Sequence, residues 1–330
     1  GVLKANAYGH GIVQVAKLLS DKGIDGFCVA LQKEIDVLCD NGISKPILHL
    51  GKFSYSNLIN HKKNVIVTIN TVNDINNIQK FFIESGKSIK AHIKFDTGMG
   101  RMGFKSKNAN EIFLKVSESK GIDLQGVYTH FSSSEIKDSK HTIEQRKKFE
   151  EIIKVSKIYY NNLMYHVSNS GGIFSGKLNY YNMVRPGITL YGVSPSGKSN
   201  KFLKPVMHFC APVVLKKKIY RGESVGYNQT FIADDNIEIA IIQAGYADGV
   251  PFEFSNNGFV YWNKVKLPII GKVSMDLFAV NCSNIDIKIG DKITIWGSND
   301  YRIEHITSHT GKHPYLFLVS VSSRVGRKYV

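Results

Sequence analysis

The sequence holds only four cysteines in 330 residues, and Cys28, Cys39, Cys210 and Cys282 stand far apart with no Cys-x-x-Cys pair. That spacing argues against a zinc site or a disulfide framework and fits a reducing cytosol, so a cytoplasmic protein without a metal is expected. No stretch approaches the roughly 20 consecutive apolar residues of a membrane helix. The opening residues lack a basic-then-apolar leader pattern, so neither membrane insertion nor secretion is expected. Internal repeats and low-complexity linkers are missing too. Acidic residues are scarce: 27 Asp and Glu face 43 Lys and Arg, a net charge of +16. Such an excess is what a nucleic-acid binder shows. Here, however, the lysines are scattered (Lys62–Lys63, Lys147–Lys148, Lys216 to Lys218) and interleaved with apolar residues, as on solvated faces. Nucleic acid is therefore not an expected partner, and attraction of an anionic cofactor accounts for the sign equally well.

Hydrophobic residues are plentiful at 43%, and at roughly 150 residues per domain the length predicts two domains. Over residues 1–203, short apolar runs alternate with amphipathic helical stretches. Candidate strands are Gly1–Lys4, Gly26–Ala30, Pro46–Leu50, Val65–Ile69, Ala91–Phe95, Leu124–Thr129, Tyr165–Ser168 and Gly187–Tyr191. Candidate helices are Ile12–Lys22, Gln32–Asn41, Val72–Phe82, Ala109–Ser119 and Ile143–Lys157. Eight strands, most followed by a helix, predict an α/β fold of the (β/α)8 barrel type, with its chemistry at the C-terminal strand ends. Over residues 204–330 the pattern changes to recurring strand-like runs, among them His208–Leu215, Ile237–Gln243 and Val265–Ile270. Turn signals at Arg221-Gly222, Asn256-Asn257-Gly258 and Gly290-Asp291 separate them, which predicts a second, mainly β domain. A first strand at the extreme terminus is poorly tied down, so the natural chain is expected to begin earlier than Gly1.

The opening run Val2-Leu3-Lys4-Ala5-Asn6-Ala7-Tyr8-Gly9-His10-Gly11 places a lysine at the end of an apolar strand. Taken alone, Lys4 reads as a side chain snorkelling at a strand end or as a desolvated amine suited to Schiff-base chemistry. Tyr8 adds a hydroxyl able to reach an anion at the same barrel mouth.

The run VLKANAYGHG resembles the cofactor-lysine motif of alanine racemases, which use pyridoxal 5′-phosphate on a (β/α)8 barrel followed by a β domain. Further segments follow in the family's order: IKFDTGMGRMGF from Ile93, GVYTHF from Gly126, VSNSGG from Val167 and MVRPGITLYG from Met183. The second domain adds GESVGYNQTF from Gly222, GYADGVP from Gly245, GKVSMD from Gly271 and SSRVGR from Ser322. The resemblance spans residues 1 to about 327 and implies a missing N-terminal part of a few tens of residues.

By this resemblance, Lys4 is the Schiff-base lysine and one of two bases flanking the substrate's Cα, and Tyr246 is the other. A tyrosine with an ordinary pKa near ~10 needs nearby positive charge or hydrogen bonds to act as a base. The resemblance makes His130 the link from Tyr246 to Arg185, with Arg185 facing the cofactor's pyridine nitrogen. Arginine keeps its proton, so it donates to that nitrogen without protonating it, which weakens the ring as an electron sink. Arg101 matches the arginine that contacts the cofactor's phenolic oxygen and the substrate carboxylate. Lys94 matches a lysine carbamylated in many members. Met275 and Asp276 match a Met-Asp pair whose methionine N–H meets the substrate carboxylate. Phosphate donors are implied at Tyr8, Ser170, Gly187 and Ile188.

One departure stands out. Where the family carries a tyrosine in a Ser-Tyr-Arg context, this chain reads Ser322-Ser323-Arg324, which removes a phenol from the innermost part of the site. The expected reaction is interconversion of L-alanine and D-alanine, supplying D-alanine for peptidoglycan, in a homodimer with shared active sites. Three alternatives remain at this point: a racemase of broader specificity that takes serine or another amino acid, a non-catalytic cofactor-binding barrel protein, and a decarboxylase of the same architecture. The β-domain motifs argue against the second. Arg185, where a decarboxylase benefits from a carboxylate, argues against the third.

Overall fold

In the computed structural model, which describes residues 1–175, 181–297 and 301–330, the apolar runs of the first half become parallel strands. They are β1 (Phe27–Val29), β2 (Ile47–His49), β3 (Val65–Ile69), β4 (Ile89–Asp96), β5 (Phe104–Lys105), β6 (Ile122–Tyr128) and β7 (Met164–His166). Their order is β1-β2-β3-β4-β6-β7, with β5 a short appendage on β4. Every residue of β1 and β2 is buried, as a parallel sheet covered on both faces demands. The helices between them are α1 (Ile12–Asp21), α2 (Gln32–Asp40), α3 (Tyr55–Ile59), α4 (Val72–Ser85), α5 (Ala109–Glu118), α6 (Lys140–Tyr159) and α7 (Ser170–Phe174). In α4 the boundaries are written in the sequence. The Thr71 hydroxyl accepts the Asp74 N–H at 3.3 Å while the Asp74 carboxylate accepts the N–H groups of Asn70 and Thr71 at 2.9 Å. Gly86, at φ 69°, ends the helix, and Ile75, Ile78 and Phe81 turn one face into the core.

Two expected strands do not form regular ones. Val2 makes a single parallel bridge to Cys28, Met183 makes one to His166, and Ile188–Tyr191 is a 3-10 turn. The barrel closes through these short staves all the same. Cys28 N–H donates to Gly1 C=O at 2.8 Å, Leu3 N–H to Cys28 C=O at 2.9 Å, and Val2 N–H to Pro186 C=O at 2.9 Å. Pro186 has no N–H with which to lengthen the seam, and the chain leaves the sheet directly after Leu3.

It leaves in an uncommon way. Ala5, Asn6, Ala7 and Tyr8 take φ values of 53°, 55°, 52° and 51°, a left-handed turn that costs non-glycine residues about 1–2 kcal/mol each. Local bonds offset the cost. Ala7 N–H donates to Leu3 C=O at 2.8 Å and Gly11 N–H to Asn6 C=O at 3.0 Å, while the Asn6 side-chain oxygen accepts Ile12 N–H at 2.8 Å.

The second unit comprises Tyr8–His10 and Tyr191–Val330. Its strands are β8 (Phe209–Ile219), β9 (Ser224–Val225), β10 (Phe231–Ile232), β11 (Ile237–Ile242), β12 (Phe259–Trp262), β13 (Val265–Ile270), β14 (Phe278–Asn281) and β15 (Lys292–Trp296). A closed antiparallel barrel runs β11-β14-β13-β12-β15-β8, with β9 and β10 forming a separate pair. The long β8 pairs with both β11 and β15 and alternates buried and exposed residues over its first six positions. Two helices, α8 (Ile303–Thr310) and α9 (Pro314–Ser320), follow. The sequence reading expected none here, although Gly311 at φ 67° closes α8 and Pro314 opens α9. Among the described residues no helix is long and apolar enough to cross a membrane.

Candidate active site

Lys4 sits where the first stave passes into the left-handed turn. Glu34 fixes that turn: one carboxylate oxygen accepts Ala5 N–H at 2.6 Å, and the other accepts the N–H groups of Ala30 at 2.8 Å and Leu31 at 3.0 Å, at the start of α2. Desolvation, then the charge of Arg101, lowers the pKa of the Lys4 ammonium against an opposing pull from Glu34.

Lys94, on β4, is only 6% exposed, and its Nζ lies 5.6 Å from the centre of the Tyr128 ring. Burial foremost, then Arg101 and Arg185, push its pKa down from 10.5 to about 8. Between those two values the unfolded chain keeps a proton that the folded chain has released, so stability rises with pH across that window. At about 1.4 kcal/mol per pKa unit the swing is on the order of 3 kcal/mol at most. Urea unfolding at pH 8 and pH 10 should show the gain in unmodified protein and lose it in Lys94→Met. Equal pH slopes in the two proteins would rule out a titrating Lys94 amine.

Arg101 stands exposed on the loop after β4. The Asp96 carboxylate braces this loop by accepting the N–H groups of Gly98 and Gly100, each at 3.0 Å. Gly103 has φ 113°, and a Cβ there would lie 2.8 Å from the Lys94 carbonyl oxygen, so the return of the loop to the sheet requires glycine.

His130 follows β6. Its Nε2 lies 3.4 Å from Asn169 Nδ2, which also donates to Phe131 C=O at 3.1 Å. An amide nitrogen only donates, so Nε2 carries no proton. Burial, joined by Arg185, Arg101, Lys94 and Lys4, pushes the His130 pKa down to about 2. The imidazole is neutral, in a field of positive charge.

Arg185 is 3% exposed. Its Nη1 donates to His166 Nδ1, and its Nη2 donates to the carbonyls of Thr129 at 2.8 Å and Val167 at 3.1 Å. The guanidinium carbon lies 5.0 Å from the centre of the Tyr128 ring. Among the described residues none of these partners is a carboxylate. The expected link from His130 to Arg185 is not the bond that forms here, since the guanidinium turns to His166 and to the carbonyl one residue before His130. Sequence reasoning missed His166, His92 and Tyr128. Their signal was position alone: each lies on a barrel strand and faces inward, where a lone polar residue reads as core.

A cradle of small donors lies at α7. The Ser170 hydroxyl accepts Gly187 N–H at 2.9 Å and lies 3.1 Å from the Thr189 hydroxyl. The Asn169 side-chain oxygen caps α7 through Gly172 N–H at 3.0 Å. A Cβ on Gly171 would lie 2.6 Å from the Ser134 hydroxyl. Ile188, beside Gly187, is fully buried.

The remaining candidates belong to the second unit. The Tyr8 ring lies 4.9 Å from that of Tyr191 and 5.7 Å from that of Tyr315. The Tyr246 loop is tied by its backbone to the Met275 loop, with Tyr246 N–H donating to Ser274 C=O at 3.0 Å and Ala247 N–H to Met275 C=O at 3.1 Å. Arg324 clamps both loops, 2.9 Å from Asp248 and 2.6 Å from Asp276. The side chains of Tyr246 and Met275 project from these loops, 46% and 52% exposed, and Ser323 beside Arg324 is exposed as well.

Residues 1–195 match the N-terminal domain of alanine racemase, and residues 206–329 match its C-terminal domain. Alanine racemase 2 of Caldanaerobacter subterraneus is 35% identical over 100% of this chain and 87% of its own length. The alanine racemase of Methanococcus maripaludis is 34% identical over 100% of this chain and 91% of its own. Among solved structures, the alanine racemase of Bartonella henselae with covalently bound pyridoxal phosphate superposes with a TM-score of 0.90 at 31% identity, covering 100% of this chain and 91% of that one. That of Clostridium difficile gives 0.91 at 31%, covering 98% and 87%. With both domains matched in order and the likeness running the length of the chain, this protein belongs to the alanine racemase family.

Proposed function

We propose that this chain is a pyridoxal-5′-phosphate-dependent isomerase that interconverts L-alanine and D-alanine with Lys4 and Tyr246 as its two bases, supplying D-alanine for peptidoglycan. The observation that carries the reading is the match of both domains, in order, to alanine racemase, and with it goes the field of positive charge from Arg185, Arg101, Lys94 and Lys4 felt at His130. A dianionic phosphate and a substrate carboxylate are the ligands such a field selects. The donor set suits the cofactor. Ser170 and the N–H groups about Gly187 and Ile188 would hold the phosphate, joined by Tyr8.

When bound, pyridoxal phosphate supplies the electron sink that acidifies the substrate's Cα–H. The chain's own groups do the rest. Lys4 would hold the cofactor through Nζ and exchange a proton at Cα, which its lowered pKa favours. Arg185 would offer the ring nitrogen a hydrogen bond through Nε, one of the two N–H groups that its three bonds to the protein do not use. Arg101 would clamp the carboxylate with its planar fork, assisted from a partner subunit by the Met275 N–H, with Asp276 and Arg324 holding that loop. A carbamate on Lys94 would turn its charge negative and brace Arg101. Tyr246 would serve the opposite face of Cα from a partner subunit, in a homodimer with shared sites. Ser323, smaller than the family's tyrosine, widens the innermost wall. The unpaired state of all four cysteines accords with a cytoplasmic setting.

The test begins with colour. Purified holoprotein should absorb near the boundary of the visible and ultraviolet, and hydride reduction should fix the cofactor on the peptide containing Lys4. Chiral chromatography with alanine, serine and lysine should show alanine turned over. A colourless protein after loading, or a label on another lysine, would sink the assignment.

A further inference from the structure

The Arg101 guanidinium makes no hydrogen bond or ion pair among the described residues, so the backbone of its loop sets its position. That loop, residues 96–103, leaves β4 and lies against the first turns of α6. A Cβ on Gly98 would meet His141 Cε1 at 3.0 Å and Gln145 Cγ at 3.2 Å. His141 and Gln145 stand about one turn apart on the same face of the helix. The His141 ring is exposed, and its Nε2 lies 3.0 Å from Gly98 C=O. A carbonyl only accepts, so Nε2 carries the proton and donates it.

Gln145 is fully buried, on the stripe of α6 that also buries Thr142, Phe149 and Ile152. A leucine would fill such a place with no polar group to satisfy. The amide is instead used on every side. Its Nε2 donates to His130 C=O at 3.0 Å and lies 3.4 Å from Thr97 Oγ1. Its Oε1 accepts Ser132 N–H at 3.0 Å and lies 3.2 Å from the Ser132 hydroxyl. These partners account for both N–H groups and both lone pairs of the side chain. Thr97, in the Arg101 loop, is itself buried, and its hydroxyl lies 2.8 Å from that of Thr129. One helical side chain thus joins the loop after β4 to the segment after β6. A buried network with every member satisfied admits one geometry, because a shifted loop leaves a donor unpaired.

We infer that Gln145 is a positioning residue for Arg101, with His141 as a second strap: together they hold the loop on α6 and so set where the guanidinium meets a carboxylate. The inference rests on the reading that Arg101 clamps the substrate carboxylate. The bonds of Gln145 and His141, by contrast, are a property of the barrel unit itself.

The experiment titrates the loaded enzyme with propionate, which has alanine's carboxylate but no amine to join the cofactor, and reads the affinity by calorimetry. Arg101→Met should weaken propionate about 10- to 100-fold, the scale of hydrogen bonds to a charged group. Gln145→Met keeps the length of the side chain and removes its bonds. It should weaken propionate about 10-fold by displacing the loop. Added to Arg101→Met, it should weaken propionate no further, because no guanidinium remains to be misplaced. A role confined to packing would add its own loss. His141→Leu, at an exposed position, should cost about 3-fold, and His141→Gln, which keeps a donor, should restore the affinity. That pair carries the test if Gln145→Met does not fold. Additive losses in the double variant, or unchanged affinity in every Gln145 and His141 variant that folds, overturn the inference while the reading of Arg101 stands. Unchanged affinity in Arg101→Met defeats that reading, and the inference falls with it.

Discussion

Lys4→Ala and Tyr246→Phe are expected to abolish racemisation in opposite senses. Each removes one of two bases, and a positioned general base contributes on the order of 10²–10⁴-fold in rate. Exchange of the Cα hydrogen with solvent should fail mainly from D-alanine in Lys4→Ala and mainly from L-alanine in Tyr246→Phe, as deuterium incorporation would record. The two residues belong to different units of the chain, which makes a shared site testable by mixing. If Tyr246 serves the partner's Lys4, a heterodimer of the two inactive variants contains one site with both bases, and activity returns once subunits exchange. Equal loss of exchange from both enantiomers in both variants would remove the two-base scheme. A competent monomer, or no recovery after verified exchange, would remove the shared site while leaving the bases in place.

Arg185→Glu is expected to change the course of the reaction as much as its rate. The buried guanidinium donates its hydrogen bonds to no carboxylate among the described residues, so the position is built for a donor that keeps its proton. A glutamic acid there would share a proton with the ring nitrogen and deepen the electron sink. Racemisation should slow on the order of 10²–10³-fold, the usual scale for losing a preorganised donor. A long-wavelength absorbing species should persist during turnover, and more substrate should leave by transamination. Spectra and product partition identical to wild type would show that Arg185 does not face the ring.

Much of the barrel was legible because burial on both faces leaves a plain mark. Gly26–Ala30 and Val65–Ile69 read as strands, and strands form over Phe27–Val29 and Val65–Ile69. Gly1–Lys4 and Gly187–Tyr191 carry the same apolar signature but form only bridges and a turn. Whether a short run makes a ladder depends on its neighbours, here a proline at the seam and a strained turn beside it, and periodicity carries no trace of either. In the second unit, Gly311 and Pro314 marked the helices that the strand pattern obscured. At the site, motifs pointed to Lys4, Arg101, His130 and Arg185 by residue type, whereas the bonding between them could not be read. The partner of Arg185 is His166, a lone histidine in an apolar strand, which sequence alone assigns to the core.

The turn that carries the chain away from Lys4 has a consequence for chirality. Its φ values, between 51° and 55° over four residues, mirror those of an ordinary right-handed helix. Residues of D configuration would rest there without the crowding of Cβ against carbonyl that L residues suffer. Two of the four positions are alanine, held in the geometry that suits alanine's own mirror image. No local preference of an L chain nucleates such a shape. It exists because Glu34 holds Ala5 from the start of α2 and Asn6 holds Ile12, so the placement of the Lys4 amine belongs to the assembled barrel as much as to the segment that bears it.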